Sequence, residues 1–198
     1  MARKLETHRA LYLDLEMTCW PGPPPPGMQQ DIIQIGVIEA NLDTLSISRE
    51  ACYYVRPRNS TVSEYCTAFT GITEQRIRRE GKPFGEVIAT ITRKFGPQGK
   101  SCFTWGNDAA ALISACDCAA VAYPFNIIDL AFLYQLETGS RVAVSLENAL
   151  LHLGLEFVGT PHDALIDARN TALLHMAMLL RTRRQIKLPK NFHETKLA

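Results

Sequence analysis

The sequence predicts an α/β fold in which helices flank a mixed five-stranded sheet. Three strand patterns come first and are joined as a meander. Strand patterns then alternate with helix patterns, and this combination favours a mixed sheet. A chain of 198 residues suits one domain with a full core. We therefore expect a single domain over residues 1–198, with its core at about 10–182 and a frayed tail at 183–198.

The first strand, residues 9–16, carries two acidic side chains on one face. Side chains two residues apart on a strand share a face, so Asp14 and Glu16 project from the same side of the sheet. Tyr12 lies on that face, and Leu11, Leu13 and Leu15 lie on the other. Placing two carboxylates together is costly unless a positive charge lies between them.

A proline-rich loop separates this strand from the next two. The loop at 21–27 contains four consecutive prolines, which exclude a helix. Residues 31–42 and 45–56 have strand patterns, and Asp43-Thr44 between them indicates a tight hairpin.

The remaining chain alternates helices with two more strands. The strands are predicted at 100–105 and 125–128. A proline at the first turn, a serine cap and glycine stops mark several helix ends. The last helix has apolar residues with a period of about 3.6 residues. The predicted helices cover 63–69, 73–80, 83–95, 108–120, 129–137, 146–153 and 163–182.

The composition argues against a membrane or secreted protein. Apolar content of 46% and charge of 21% are typical of globular chains. No apolar run approaches the ~20 residues of a membrane helix, and the N-terminus lacks the apolar segment of a signal peptide. We expect a soluble cytoplasmic protein without a membrane partner.

The cysteines and basic residues have ordinary explanations. Six cysteines lie mostly in apolar runs without a Cys-x-x-Cys pair, which favours reduced core thiols over a zinc site. The net charge is +1, so the overall charge does not indicate a nucleic-acid binder. Two basic clusters are interpreted as solvated faces, with phosphate contact as the alternative. They are Arg76, Arg78, Arg79 and Lys82, and then Arg181, Arg183, Arg184, Lys187 and Lys190.

Four acids and one histidine form a candidate metal site. Magnesium and manganese prefer oxygen ligands, and two such ions ~4 Å apart can stabilise the attacking and leaving oxygens of a phosphoryl displacement. Asp14 and Glu16 would be joined by Asp108, at a helix start, and by Asp167, in the last helix. The alternative for each acid is a helix cap or a surface position. Asp108 in particular suits a cap.

A histidine precedes the last of these acids by five residues. From just ahead of the last helix, a mobile His162 imidazole could approach a water at the site. Its ordinary pKa of ~6.5 suits a general base. A structural or exposed histidine is the alternative. Asp163, next to it, is assigned the role of helix cap.

These segments in this order resemble the DEDDh family of 3′→5′ exonucleases. The family's pattern is matched by DLE in the first strand, by WGND in the middle and by H-x4-D before the last helix. The segments LDLEMTCW, DIIQIGV, YCTAFTGIT, NIIDL and SLENALLHLGLEF are most similar to the histone-mRNA-exonuclease group. The resemblance covers residues 10 to about 180.

The resemblance implies a ribonuclease-H-like fold, two divalent cations (Mg²⁺ or Mn²⁺) and a histidine base. When the family's site residues are transferred position by position, the metal ligands are Asp14, Glu16, Asp108 and Asp167, and the base is His162. It also places the Met17 backbone at the terminal 3′-hydroxyl, and Phe69 and Thr70 at the terminal base. Phe69 and Trp20 have ring faces on which a base can stack, with core packing as the alternative.

The sequence departs from the family at two places. Asp108 lies one residue closer to the Trp-Gly pair than the third acid usually does, and the loop at 21–27 replaces a segment that is often acidic in relatives.

We therefore expect a metal-dependent 3′→5′ exonuclease that acts on single-stranded RNA or DNA ends and releases nucleoside 5′-monophosphates. The alternatives are a nucleic-acid-binding or partner-recruiting module of the same fold, and an enzyme of that fold that cuts internally. Preference for RNA or DNA stays open, as does a homodimer or a larger complex.

Overall fold

The computed structural model describes residues 6–185, so the predicted tail beyond that point, with Lys187 and Lys190, lies outside the described residues. Five strands form one mixed sheet, as predicted, in the order β3-β2-β1-β4-β5. The first three strands are an antiparallel meander, and β4 and β5 run parallel to β1. The strands are β1 (Glu6–Met17), β2 (Ile32–Asn41), β3 (Ser46–Tyr54), β4 (Lys100–Thr104) and β5 (Ile127–Asp129).

Helices lie within a few residues of every predicted position. Side-chain caps explain several starts, since Ser63, Thr73 and Ser145 each accept a hydrogen bond from a backbone N–H three residues on. The short strand β5 begins at Ile127 instead of 125, because its pairing with β4 begins there. The helices are α1 (Glu64–Thr70), α2 (Glu74–Glu80), α3 (Phe84–Phe95), α4 (Asp108–Cys118), α5 (Leu130–Thr138), α6 (Leu146–His152) and α7 (Ala164–Gln185).

Helices cover both faces of the sheet. The face of Tyr12 packs against α5, α6 and α7, and the face of Leu11 and Leu13 packs against α3 and α4. The predicted alternation along β1 is therefore confirmed. A smaller apolar cluster around Ile33 joins α1 and α2 to the start of β2.

The start of α7 touches the sheet at a glycine. A Cβ added to Gly36 would lie 2.0 Å from the carbonyl oxygen of Ala164. Beside this contact, the buried Gln34 side chain accepts a hydrogen bond from the Ala164 N–H at 3.0 Å. Gly36 pairs with Asp14 across the sheet, so the contact brings the first turn of α7 close to the acidic end of β1.

The cysteines and the first basic cluster behave as ordinary structural residues. All six thiols are free, and three of them are buried. On and beside α2, the cluster forms ion pairs with neighbouring glutamates, at 3.4 Å for Arg76–Glu80 and 2.9 Å for Lys82–Glu86. This pairing favours the solvated-face interpretation. Within residues 6–185, no helix combines the length and apolar character needed to cross a membrane.

Candidate active site

Four acidic residues meet at the end of the sheet where β1 and β4 finish. Asp14 and Glu16 come from β1, Asp108 is the first residue of α4 after β4, and Asp167 lies in the first turn of α7. One ligand atom each from Glu16, His162 and Asp167 lie within 4.8 Å of one another. The negative charges of Asp108, Asp167 and Glu16 all act on Asp14. The structure thus brings together all five residues predicted to form the site.

Burial and repulsion by neighbouring acids raise the pKa of every acid in this cluster. Burial, and then the charges of Asp108 and Asp167, hold the pKa of Asp14 well above its ordinary value. Burial, and then the charge of Asp167, raises the pKa of Glu16 to about 8. Burial also raises the pKa of Asp108 to about 7 and that of Asp167 to about 6. A bound cation would relieve this repulsion.

Asp108 has the environment of a ligand rather than of a helix cap. Its Oδ2 atom is buried and has no hydrogen-bond partner. Buried polar oxygens are normally paired, so an unpaired one calls for an explanation such as an ion. The cap interpretation is wrong, because the cap position belongs to Asn107 and Asp108 already lies within the helix. Four carboxylates, one with a free buried oxygen, fit hard divalent cations.

Asp129 is a further acid at this site that the sequence analysis missed. It follows Ile128 in β5 and lies opposite Thr104 of β4. Its Oδ1 atom accepts hydrogen bonds from the N–H of Gly106 at 3.1 Å and of Ala131 at 2.8 Å. After burial, its charge is the largest contribution to the raised pKa of Asp108. Its place directly after the predicted strand at 125–128 was the local signal, although only the pairing of β5 with β4 brings it to the site.

The backbone of His162 is held in an uncommon conformation. Its φ of 66° lies in the left-handed region, which non-glycine residues rarely adopt. The His162 N–H donates to Asp167 Oδ2 at 2.8 Å. Asp163 caps α7 as predicted, since its Oδ1 atom accepts from the N–H groups of Leu165 and Ile166 at 3.0 and 3.3 Å.

The end of β1, next to the acids, is fixed by a polar network. The Thr18 N–H donates to the Asp31 carbonyl at 2.9 Å, and the Asp31 N–H donates to Thr18 Oγ1 at the same distance. Asp31 Oδ2 also accepts from the Ser60 hydroxyl at 2.7 Å. Met17 precedes this network, and its carbonyl oxygen accepts a hydrogen bond from the Cys66 thiol. The backbone at Met17 is therefore held in place.

The residues predicted to contact the terminal base differ in how far their side chains are exposed to solvent. Phe69 is 45% exposed, so the core-packing alternative is wrong for it, while Trp20 is half-buried. The Thr70 hydroxyl donates to the Cys66 carbonyl at 2.9 Å and accepts from the Ile72 N–H at 3.1 Å. Its side chain is thus engaged in closing α1.

A family model described as an exonuclease of the ribonuclease T type matches residues 11–175. The chain belongs to this exonuclease family. The match runs from the middle of β1 into α7 and includes all four site acids, so the predicted resemblance is confirmed.

Two relatives of this exonuclease chain carry the name exoribonuclease. It is 30% identical over 194 residues to ERI1 exoribonuclease 2 of Danio rerio, covering 85% of this chain and 34% of the relative. It is 29% identical over 184 residues to 3′-5′ exoribonuclease 1 of Homo sapiens, covering 84% of this chain and 51% of the relative. The chain thus spans a third to a half of the length of these relatives.

Solved structures confirm the ribonuclease-H-like fold of the exonuclease chain. The nuclease domain of 3′hExo, described as a DEDDh family member bound to rAMP, superposes with a TM-score of 0.80 at 27% identity. That match covers 88% of this chain and 92% of the other. Cell-death related nuclease 4 shares the fold with a TM-score of 0.70 at 19% identity, and the match covers 88% of this chain and 64% of the other.

Proposed function

We propose that the chain is a metal-dependent 3′→5′ exonuclease that removes nucleoside 5′-monophosphates from single-stranded ends. The observation that carries the proposal is the convergence of four carboxylates, one with an unpaired buried oxygen, beside the His162 imidazole. The named relatives are exoribonucleases, so RNA is the first substrate class to test and DNA is the comparison.

Asp14, Glu16, Asp108 and Asp167 would hold two divalent cations, Mg²⁺ or Mn²⁺. When bound, such ions supply positive charge that stabilises the attacking and leaving oxygens of a phosphoryl displacement. The raised pKa values of these acids support this role, because a cation favours their ionised forms.

His162 would act as the general base. Its ring is exposed and has a nitrogen within reach of the carboxylates of Glu16 and Asp167. A ring nitrogen accepts a proton from the attacking water as the water oxygen bonds to phosphorus. The bond from phosphorus to the 3′-oxygen of the next nucleotide then breaks, and that oxygen takes a proton from solvent. The product is a nucleoside 5′-monophosphate and a strand one residue shorter.

Substrate would reach the site across the end of β1. We propose that the backbone at Met17 meets the terminal 3′-hydroxyl, because this segment directly follows Glu16 and is held rigidly. Trp20 and Phe69 offer ring faces on which the terminal bases can stack. Thr70 lies beside Phe69 and would contribute through its backbone, since its hydroxyl is engaged. The cytoplasmic location and a homodimer or larger complex stay predictions.

A blocked 3′ end tests the direction of attack. Single-stranded RNA and DNA of one sequence, labelled at the 5′ end, would be incubated with the protein and Mg²⁺ or Mn²⁺, with either a free or a phosphorylated 3′ end. We expect a ladder of stepwise shortening from free ends and strong inhibition by the block.

Two outcomes of this assay would contradict the proposal. Equal cleavage of blocked and free strands would indicate an internal nuclease of the same fold. Binding of both strands in a gel-shift assay without shortening would indicate a nucleic-acid-binding module.

A further inference from the structure

The Phe69 ring lies next to two other rings, those of Tyr65 and of His162. The rings of Tyr65 and Phe69, one turn apart on α1, are nearly parallel, with centroids 6.2 Å apart and an interplanar angle of 6°. The ring of Phe69 also stacks on the His162 imidazole, with centroids 3.9 Å apart at 29°. Aromatic pairs usually have centroids at about 4.5–7 Å, so the contact of Phe69 with His162 is a close one.

The contact with Phe69 restricts the imidazole of His162, which lies on the surface. The residue is exposed, so few protein atoms surround its ring apart from Phe69 and the carboxylates of Glu16 and Asp167. Its backbone is held in the left-handed conformation by the hydrogen bond from its own N–H to Asp167. The freedom that remains is rotation of the side chain. The Phe69 ring covers one face of the imidazole and so excludes rotamers that would point through that face.

The helix that carries Phe69 is itself tied to the acidic strand. The Ser63 hydroxyl, which caps α1, donates to the Cys19 carbonyl at 2.7 Å, and the Cys66 thiol donates to the Met17 carbonyl at 3.6 Å. Both acceptors lie within three residues of Glu16. The place of the Phe69 ring relative to the carboxylates is therefore fixed by α1 and does not depend on a substrate.

We propose that Phe69 is a positioning residue for His162, whose imidazole it holds over the carboxylate cluster before substrate arrives. This inference rests on the proposed function of His162 as the base. It differs from the expectation that Phe69 only contacts the terminal base, because one of its ring faces is already occupied by the imidazole.

The flat face of the ring is the property that the test has to remove. Phe69→Leu keeps an apolar side chain on an exposed helix position but lacks a stacking face, whereas Phe69→Tyr keeps the face. Phe132→Leu is the matched control, because it removes another exposed ring, on α5. Initial rates on 5′-labelled RNA with Mg²⁺ would give kcat and KM for each variant.

The position of the imidazole can be followed without turnover. Histidine-selective ¹³C and ¹⁵N labelling, with Mg²⁺ present and substrate absent, would report the ring protons of His162, assigned by their loss in His162→Gln. We expect the upfield shift caused by the Phe69 ring to disappear in Phe69→Leu and to persist in Phe69→Tyr and Phe132→Leu.

The variants that change the His162 resonances should also be the ones that change kcat. We expect Phe69→Leu to lower kcat on the order of tenfold, a part of the ~10²–10⁴ that a positioned base contributes, in addition to any rise in KM from lost base stacking. Phe69→Tyr should restore the parent kcat. Unmoved His162 resonances in Phe69→Leu, or a raised KM with unchanged kcat, would overturn the inference. If the parent shortens no oligonucleotide, the proposed function fails, whereas the resonances still decide whether Phe69 places the imidazole.

Discussion

The residue Glu16 is only 7% exposed, and the charges that raise its pKa are all negative. Those charges belong to Asp167, Asp163 and Asp108. An arrangement of this kind destabilises the metal-free fold and at the same time creates a strong site for cations. The residue-scale consequences are therefore a dependence of stability on pH and a dependence on divalent ions.

Metal-free protein should lose stability between pH 6.5 and 8. The pKa of Glu16 is raised from 4.5 to about 8, so in this range the folded state keeps a proton that the unfolded chain has released. Stability then falls as pH rises, by about 2 kcal/mol for one such group over 1.5 pH units. Urea unfolding at several pH values, with EDTA and then with Mg²⁺, would measure the change.

The buried His175 has the opposite effect on stability, and it acts mainly below pH 6.5, the lower limit of this range. Burial lowers the pKa of His175 from 6.5 to about 4, so it stabilises the fold above pH 6.5 and that stabilisation is lost as pH falls towards 4. Above pH 6.5 its contribution rises by only about 0.4 kcal/mol more, because the unfolded-state histidine is already half deprotonated there, so it offsets only a small part of the fall. We expect Mg²⁺ to reduce the fall, and a free energy of unfolding that is level or rising from pH 6.5 to 8 without metal would contradict the account.

Replacing His162 should affect the reaction far more than metal binding. We expect His162→Ala to lower the rate of hydrolysis by about 10²–10⁴, the usual contribution of a general base, with Mn²⁺ affinity changed far less. Single-turnover kinetics and calorimetric titration with Mn²⁺ would measure the two effects. His8→Ala removes an exposed histidine at the other end of β1 and serves as the control. A parental rate in His162→Ala would remove it as the base.

Individual site residues were predictable where their position in a strand or helix defined which way their side chains point. Asp14 and Glu16 follow from the two-residue period of β1, and Asp163 from its place before a helix. Asp129 was missed because its role depends on strand β5 pairing in parallel with β4, a long-range contact. The stacking of Phe69 on His162 joins residues 93 positions apart and has no local signal.

At the scale of elements, the site depends on the approach of α7 to β2. The two meet at Gly36, where no side chain separates the sheet from the Ala164 carbonyl. Gln34 secures the same helix start by accepting the Ala164 N–H. Asp167 lies one turn further along α7, so its distance from Asp14 is set by this contact.

Gly36→Ala should displace the start of α7 and with it Asp167. The added Cβ would overlap backbone atoms, which cannot move aside as a flexible side chain can. We expect a loss of about 1–3 kcal/mol in stability, as for other overpacked sites, and a clear loss of activity. Thermal unfolding and the oligonucleotide assay would measure both.

Gly99→Ala is the matched control for this change. A Cβ at Gly99 meets no atom within 4 Å, and φ there is not in the left-handed region. We expect parental activity in that variant. If Gly36→Ala were as stable and as active as Gly99→Ala, the close approach of α7 would not define the site.

Helix boundaries were predictable because their signals are local. Ser145 caps α6 and Gly96 ends α3 at the predicted places, through hydrogen bonds to neighbouring residues. The start of β5 was predicted two residues early, because its limits are decided by pairing with β4 and not by its own apolar run.

At the scale of the whole molecule, the fold class followed from the order of the patterns. A meander followed by alternating strands and helices yields the mixed sheet that the structure has. The order of β4 and β5 beside β1 was not predicted, because parallel neighbours are joined by helices and not by short turns. Since the chain spans a third to a half of the length of its named relatives, one domain over residues 1–198 stays a prediction.

The central claim is that one carboxylate cluster hydrolyses nucleic acid from the 3′ end with divalent ions. The most direct test compares the parent with Asp14→Asn on 5′-labelled single-stranded RNA in Mg²⁺ or Mn²⁺, with EDTA as a second arm. Asp43→Asn, an exposed acid in the hairpin turn, is the control. The account predicts stepwise shortening by the parent and by Asp43→Asn, and none by Asp14→Asn or in EDTA. Parental shortening by Asp14→Asn would contradict it.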